Sequence, residues 1–299
     1  MIYTVTLNPA IDYVVQLPAA LQAGSIHRTV TEDIQFGGKG INVSLILQQL
    51  GVPTTALGFI AGFTGKALEE GLQNRGLPTR FLPVSEGLTR INVKVRGTEE
   101  TQINGSGPQI TEENMQSLYA LLGQLQPEDT LVLSGSVPQC LPADTYKKIL
   151  STLDGKDIRT VVDATGQLLV QTLPYRPFLI KPNDYELGDI FGAYPETEQQ
   201  IMDYAHQLQT MGARNVLVSL GAKGAMLLDE TGNDHRAACP QGTVVNSVGA
   251  GDSMVAGFLA GYMQTGDYEK ALQLGIAAGS ATAFSLQLAT REQIEALLV

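Results

Sequence analysis

Two short stretches of this sequence place glycines and polar side chains at the entrance to an apolar run. The first is Asn246-Ser247-Val248-Gly249-Ala250-Gly251-Asp252-Ser253, which leads into MVAGFLAGYM. Glycines in such a turn let the backbone approach a ligand closely, and the free N–H groups of a helix's first turn favour an anion such as a phosphoryl group. Asp252, beside that anion, has the chemistry to accept a proton from an attacking hydroxyl. A purely structural role competes: Asp252 or Ser253 would cap the helix, and the glycines would relieve crowding. The second stretch, Phe36-Gly37-Gly38-Lys39-Gly40-Ile41-Asn42-Val43-Ser44, repeats the pattern with one lysine and one asparagine at the turn. Lys39 offers a mobile positive charge to a phosphoester, and Asn42 both donates to and accepts from sugar hydroxyls. An exposed lysine at a helix N-terminus is the plainer alternative. Neither stretch satisfies the GxxxxGK[ST] phosphate loop, GFTGKA at 62–67 fails it too, and no GxGxxG follows a strand. These absences argue against a P-loop enzyme and against a nicotinamide-dependent oxidoreductase.

Further candidates are less specific. Asn183-Asp184-Tyr185-Glu186 follows the strand-like FLIKP, and Glu186 could help hold hydrated Mg²⁺, since magnesium keeps its waters and uses few carboxylates. Stabilising the N-terminus of a following helix is an equal alternative. Ser219-Leu220-Gly221-Ala222-Lys223-Gly224-Ala225 reads as a strand and a glycine turn whose donors could line phosphates, or as an ordinary hairpin. Arg90, Asn92 and Lys94 alternate along one strand-like run and so share a face. Arg90 suits bidentate contact with a phosphate, and Asp12, after Asn8-Pro9-Ala10, could accept hydrogen bonds from vicinal hydroxyls; a solvated polar face is the alternative. His27, His206 and His235 have neither metal spacing nor a serine or cysteine partner, and are read as surface or loop histidines.

The elements that must hold these residues alternate along the chain. Apolar, β-branched runs at Ile2–Leu7, Thr55–Ile60, Thr130–Ser134, Thr160–Asp163, Phe178–Lys181 and Asn215–Leu220 predict buried strands. Helical periodicity falls between many of them, at Gly40–Leu50, Lys66–Arg75, Thr111–Leu125, Pro142–Leu153, Glu198–Met211 and Gly251–Gln264. This order predicts an α/β fold with a mainly parallel sheet, helices on both faces, and ligands beyond the carboxyl ends of the strands. Asp12–Phe36 and Arg80–Asn104 break the alternation as short strands without helices, expected to form a small lid sheet rather than edge hairpins of the main sheet. Gly221–Asn233 reads as a hairpin.

Composition narrows the function classes. With 299 residues, 43% of them apolar and 16% charged, the chain can bury a large core. Its 19 Lys and Arg against 30 Asp and Glu give a net charge of −11, so no general cationic face is available for nucleic acid or anionic lipid. Small-molecule partners are expected instead. Cys140 and Cys239 belong to no ligand motif, and two buried thiols are the expectation. No basic, apolar leader opens the sequence and no run reaches the roughly 18 apolar residues of a membrane span, so a cytoplasmic location is expected.

Together, GGKGINVS near residue 40 and NSVGAGDS near residue 250 resemble the ribokinase/PfkB family of carbohydrate kinases. NPAID at 8–12, LSGSVP at 133–138, KPNDYE at 181–186 and SLGAKGA at 219–225 are similar to further family elements in family order, so the resemblance covers essentially the whole chain. TLNPAID, TRINVKVRGTEETQINGSGP and NSVGAGDSMVAGF are most similar to the bacterial 1-phosphofructokinase subgroup and close to the tagatose-6-phosphate kinase subgroup. Asn246-Ser-Val stands where the broader family has Asp-Thr-x, which argues against simple ribokinase or adenosine kinase activity.

The resemblance implies one ribokinase-like domain over 1–299, with a β lid from about 12–36 and 80–104. It implies ATP-dependent phosphorylation of fructose 1-phosphate at the C6 hydroxyl; tagatose-6-phosphate kinase, 6-phosphofructokinase and a non-catalytic sugar-phosphate sensor are the alternatives. Asp252 would be the catalytic base, with Gly249, Ala250 and Gly251 forming the anion hole. Asp12, Gly37, Gly38, Lys39, Asn42, Arg90, Asn92 and Ser136 would bind the sugar phosphate. Lys181, Asn183, Ser219, Gly221, Gly224 and Ser280 would line the ATP side together with Gly249 and Gly251, and Glu186 would order Mg²⁺. A homodimer through the lid is also implied, with no nucleic-acid or membrane partner.

Overall fold

The computed structural model describes residues 1–298. Seven strands run parallel: β1 (Ile2–Thr6), β4 (Thr54–Ala61), β5 (Thr79–Val84), β8 (Thr130–Ser134), β9 (Arg159–Asp163), β10 (Leu179–Ile180) and β11 (Asn215–Ser219). The antiparallel β12 (Ala225–Leu228) and β13 (Asp234–Ala237) extend this sheet, in the order β13-β12-β11-β10-β9-β8-β1-β4-β5. Both faces are buried, as a parallel sheet requires. On β8, Leu131 and Leu133 join a cluster with Leu118, Tyr146 and Leu208, whereas Val132 between them joins Val43, Val255 and Ile276 on the opposite face.

The first of these layers is built by α3 (Glu112–Leu122), α4 (Thr145–Ser151), α5 (Gly166–Val170), α6 (Asp184–Phe191) and α7 (Glu198–Thr210). The second is built by α1 (Lys39–Gln49), α8 (Ala250–Thr265), α9 (Tyr268–Ala283) and α10 (Arg291–Glu295). Helix α2 (Gly62–Asn74) covers the β4–β5 end, and its opening residues are the GFTGKA stretch. The helix expected at Pro142–Leu153 is confined to Thr145–Ser151, and α9, unforeseen in the sequence, runs buried beside α8.

A second, four-stranded sheet has the order β3-β2-β6-β7, formed by β2 (Ala10–Gln16), β3 (Thr31–Gly37), β6 (Arg90–Arg96) and β7 (Glu100–Asn104). Its central pair β2–β6 is parallel and both outer pairs are antiparallel. One boundary needs correction: Arg80–Val84, placed in the lid from sequence, pairs with β4 as the edge of the main sheet. Pro83 fits there because an edge strand can do without one N–H donor. The expected hairpin at Gly221–Asn233 forms between β11 and β12. Both cysteines are free and half-buried rather than fully buried. His206 is exposed, whereas His235 sits on β13 with Nε2 2.7 Å from Asp229 Oδ2. No helix among the described residues is long and apolar enough to cross a membrane.

Candidate active site

The two glycine turns meet at the carboxyl ends of the central strands. At the first, the chain must pass close to β1: a β-carbon on Gly40 would lie 2.7 Å from Thr6 Oγ1 and 2.9 Å from Val5 O. Thr6 Oγ1 in turn accepts the Ile41 N–H at 3.1 Å and fixes the start of α1. At the second, Gly249 has φ +82° and precedes the first residue of α8, a left-handed geometry that favours glycine. No side chain caps α8; the Ala250 N–H donates to Ser247 O at 3.3 Å, and the Gly251 and Asp252 N–H groups are left open as an anion site. The cap alternative for Asp252 and Ser253 therefore does not hold. Asn42 Nδ2 donates to Asp252 Oδ2 at 2.8 Å and joins the two helix starts.

A second carboxylate completes the arrangement. Asp163, the last residue of β9, is buried, and its Oδ1 lies 3.3 Å from Lys181 Nζ while its Oδ2 lies 3.5 Å from Lys39 Nζ. Burial pushes Asp163 up, but Lys181 and then Lys39 outweigh it and hold the carboxyl below its usual range. For Lys39, burial favours the neutral amine, and Asp163, Asp252 and Glu186 overcome it, so the ammonium is held more firmly than usual. Asp252 goes the other way. Burial and the nearby Asp163 charge raise it, against Lys39, Asn42 and Lys181, to about 6. A carboxylate poised near neutrality beside two ammonium groups and an open helix N-terminus can take a proton while an anion is held.

The lid supplies the opposite wall. Asp12 on β2 lies in register with Asn92 on β6. Asp12 Oδ1 accepts from Asn92 Nδ2 at 2.7 Å, and Oδ2 pairs with Lys94 Nζ at 2.8 Å. Each carboxylate oxygen keeps a further lone pair for a ligand hydroxyl. Gly37 permits the close fit, since a β-carbon there would come within 3.1 Å of Asp12 Oδ2. Arg90 donates from Nε to Asn8 O at 3.2 Å, and its burial lowers its affinity for a proton, partly offset by Asp12.

The resulting cleft has two lobes that meet at Gly38, Lys39 and Arg90. The larger, ≈ 740 Å³, is lined by Asp12, Asn42, Asn92, Asp163, Lys181 and Asp252 among others, and the smaller, ≈ 570 Å³, by Ser134, Ser136 and Thr165. Thus Gly37, Gly38, Lys39, Asn42, Arg90, Asn92, Gly249, Gly251 and Asp252 converge, with Ser136 in the adjoining lobe. Ala250 begins α8 beside them.

The residues assigned to the ATP side separate from this group. Lys181 lines the main lobe, but Asn183, Ser219, Gly221, Gly224 and Ser280 line neither. Asn183 and Ser219 pair as an isolated parallel bridge, and Ser280 Oγ lies 3.3 Å from Cys239 Sγ. A β-carbon on Gly224 would lie 2.1 Å from Ala237 O, so hairpin packing alone requires that glycine. Glu186 forms a capping box: its N–H donates to Asn183 Oδ1 at 2.7 Å, and its Oε2 accepts the Asn183 N–H at 2.9 Å. Among the described residues no cluster of three or more His, Cys, Asp or Glu is placed to hold a metal. Sequence reasoning missed Asp163; the signal is an aspartate ending the apolar strand RTVVD, where an α/β sheet presents ligand groups.

Comparison with known proteins agrees with this architecture. Residues 5–293 match the pfkB family carbohydrate kinase model. The chain is 43% identical over 298 residues to the 1-phosphofructokinase of Bacillus subtilis (strain 168), covering 100% of this chain and 97% of that protein. It is 38% identical over 286 residues to the D-tagatose-1-phosphate kinase of Bacillus licheniformis, covering 95% and 93%. Escherichia coli phosphofructokinase-2 in complex with fructose-6-phosphate superposes with a TM-score of 0.92 at 27% identity, covering 99% of this chain and 97% of that one.

Proposed function

This chain belongs to the pfkB family of carbohydrate kinases, and from that membership we propose that it transfers the γ-phosphoryl group of ATP to the C6 hydroxyl of fructose 1-phosphate. The products are fructose 1,6-bisphosphate and ADP. The observation that carries the reading is Asp252: buried, raised to about 6, and set in the first turn of an uncapped helix in the cleft. The sugar hydroxyls lie against Asp12 and Asn92. The 1-phosphate reaches the junction of the lobes, where Lys39, Arg90 and Ser136 are available. Asp252 takes the O6 proton as O6 bonds to the γ-phosphorus. The bond from that phosphorus to the β,γ-bridging oxygen breaks, and ADP leaves with the electron pair. The α8 N-terminus and Lys181 balance the charge that spreads over the transferring group.

Glu186 is the residue available for Mg²⁺. Glu186 lines neither lobe, but only its Oε2 serves the capping box and its charge acts on Lys39, which supports this reading. Such a donor set fits an ion that keeps most of its waters and binds largely through nucleotide phosphates. When bound, Mg²⁺ would neutralise phosphate charge; the Asn183 N–H, donating to Oε2, keeps the Glu186 carboxylate oriented.

The lid's outward face leaves Ile34, Ile91 and Ile103 exposed, opposite the Asp12–Asn92 face. A homodimer through that face, working in the cytoplasm beside its phosphorylated substrates, completes the proposal; sedimentation of a monomer only would reject the dimer. A second substrate reading follows from the relative named D-tagatose-1-phosphate kinase: tagatose 1-phosphate offers the same phosphate and hydroxyl ends. Initial rates with MgATP and fructose 1-phosphate, tagatose 1-phosphate, tagatose 6-phosphate, fructose 6-phosphate and unphosphorylated fructose test the assignment. The highest kcat/KM is expected for fructose 1-phosphate; preference for a 6-phosphate or an unphosphorylated sugar would reject it.

A further inference from the structure

Residues 284–290, between α9 and α10, touch two parts of the cleft from opposite sides. Inward, this segment is fastened to the anion-hole turn. Asn246 Nδ2 donates to Leu286 O at 3.1 Å, and the Ala289 N–H donates to Thr282 Oγ1 at 3.1 Å. That hydroxyl lies 2.8 Å from Ser253 Oγ, on the residue after Asp252. Leu288 rests on Gly249 so closely that a β-carbon there would come within 2.7 Å of Leu288 Cδ2. Outward, Gln287 Nε2 donates to Asp33 Oδ2 at 3.2 Å, and Asp33 lies on β3 of the lid. The same Asp33 oxygen accepts from Gln35 Nε2 at 2.8 Å, and Gln35 and Gln287 both line the larger lobe. Asp33 and Gln287 are themselves exposed, so neither belongs to the core.

We infer that Asp33 and Gln287 are positioning residues whose hydrogen bond lets the lid, seated over a sugar phosphate, fix residues 284–290 against Gly249 and so set the anion hole. The inference rests on the kinase reading above. The lid holds Asp12 and Asn92, which face the sugar, and the far end of the same connection holds the N–H groups that face the γ-phosphoryl. Sugar occupancy is thereby felt where phosphoryl transfer occurs. ATP bound without sugar meets a less ordered anion hole and is protected from attack by water.

The test is a double-mutant cycle with Asp33→Ala, Gln287→Ala and the double variant. Measured are kcat and KM for fructose 1-phosphate and ATP hydrolysis without sugar. Each single change is expected to lower kcat for fructose 1-phosphate by about three- to tenfold without raising ATP hydrolysis in the absence of sugar, with the double variant no worse than either single. A bond that only braced the surface would leave kcat unchanged. Independent, multiplying effects, or unchanged single variants, overturn the inference. If the native protein phosphorylates no sugar phosphate, the kinase reading has failed; the connection is then judged by amide hydrogen exchange. Faster exchange at residues 284–290 in Asp33→Ala is expected, and unchanged exchange overturns it.

Discussion

Replacing Asp163 by Asn changes where the reaction works on the pH scale as well as how fast it runs. Asp252 must be a carboxylate to accept the O6 proton, so kcat/KM of the native protein rises with pH and levels off above about 6. After burial, the nearby Asp163 charge is the main influence holding Asp252 that high. Two carboxylates that share the field of the same two ammonium groups repel one another, and at an effective dielectric of about 20 such repulsion is on the order of 1–2 kcal/mol, or about one pK unit. Asp163→Asn removes that repulsion, and Lys39 and Lys181, released from Asp163, act more strongly on Asp252. Both effects point downward, so the acid limb moves below about 6. The fork that holds the lysines is also lost, at a cost of about 3 kcal/mol in stability and with a lower plateau rate. The assay is kcat/KM for fructose 1-phosphate across the acid range, with thermal melts at each pH to keep the comparison within the folded range. A lower plateau with the acid limb unmoved, or moved upward, refutes the reasoning.

Asn42→Ala acts in the opposite direction. The 2.8 Å bond from Asn42 favours the Asp252 carboxylate, so its loss moves the acid limb up and lowers kcat about tenfold in the same assay. Gly249→Ala strains a residue at φ +82° and drives a β-carbon to 2.7 Å from Leu288; kcat/KM should fall by roughly a hundredfold, with binding of an unreactive ATP analogue weakened in calorimetry. Far from the cleft, burial raises the Asp229 carboxyl, but bonds from His235, Thr231 and Asn233 outweigh it and hold the group well below its usual range. Its stabilisation is therefore present above the ordinary carboxylate pKa of about 4 and lost as pH falls through the lower native value. Melting temperatures of Asp229→Asn should be lower at neutral pH and converge on the native values in acid.

What the sequence disclosed follows from how local each signal is. The turns at Gly37–Asn42 and Gly249–Asp252 are legible because a helix start near a ligand needs glycine, an anion partner and a polar side chain within a few residues. The shared face of Arg90, Asn92 and Lys94 is legible from strand alternation. Asp163 was not, because its partners Lys39, at the start of α1, and Lys181, just after β10, are far away in the chain and only the fold brings them together. Helix α9 is buried over most of its length, so LQLGIAAGSATA lacks the polar stripe that marks a surface helix. For Glu186 and Gly224 the plainer alternatives, a helix cap and a hairpin turn, both have direct geometric support. The separation of Arg80–Val84 from the lid is a matter of strand partner, which a strand's own residues do not specify.

The central claim is that Asp252 is the base for phosphoryl transfer to fructose 1-phosphate, and a side-by-side measurement of native protein and Asp252→Asn tests it most directly. Single-turnover transfer from ATP is followed together with calorimetric binding of each substrate. The account predicts transfer to the sugar phosphate by the native protein, and in the variant a rate lower by about a thousandfold or more with both ligands still bound. A variant that turns over at close to the native rate would contradict it.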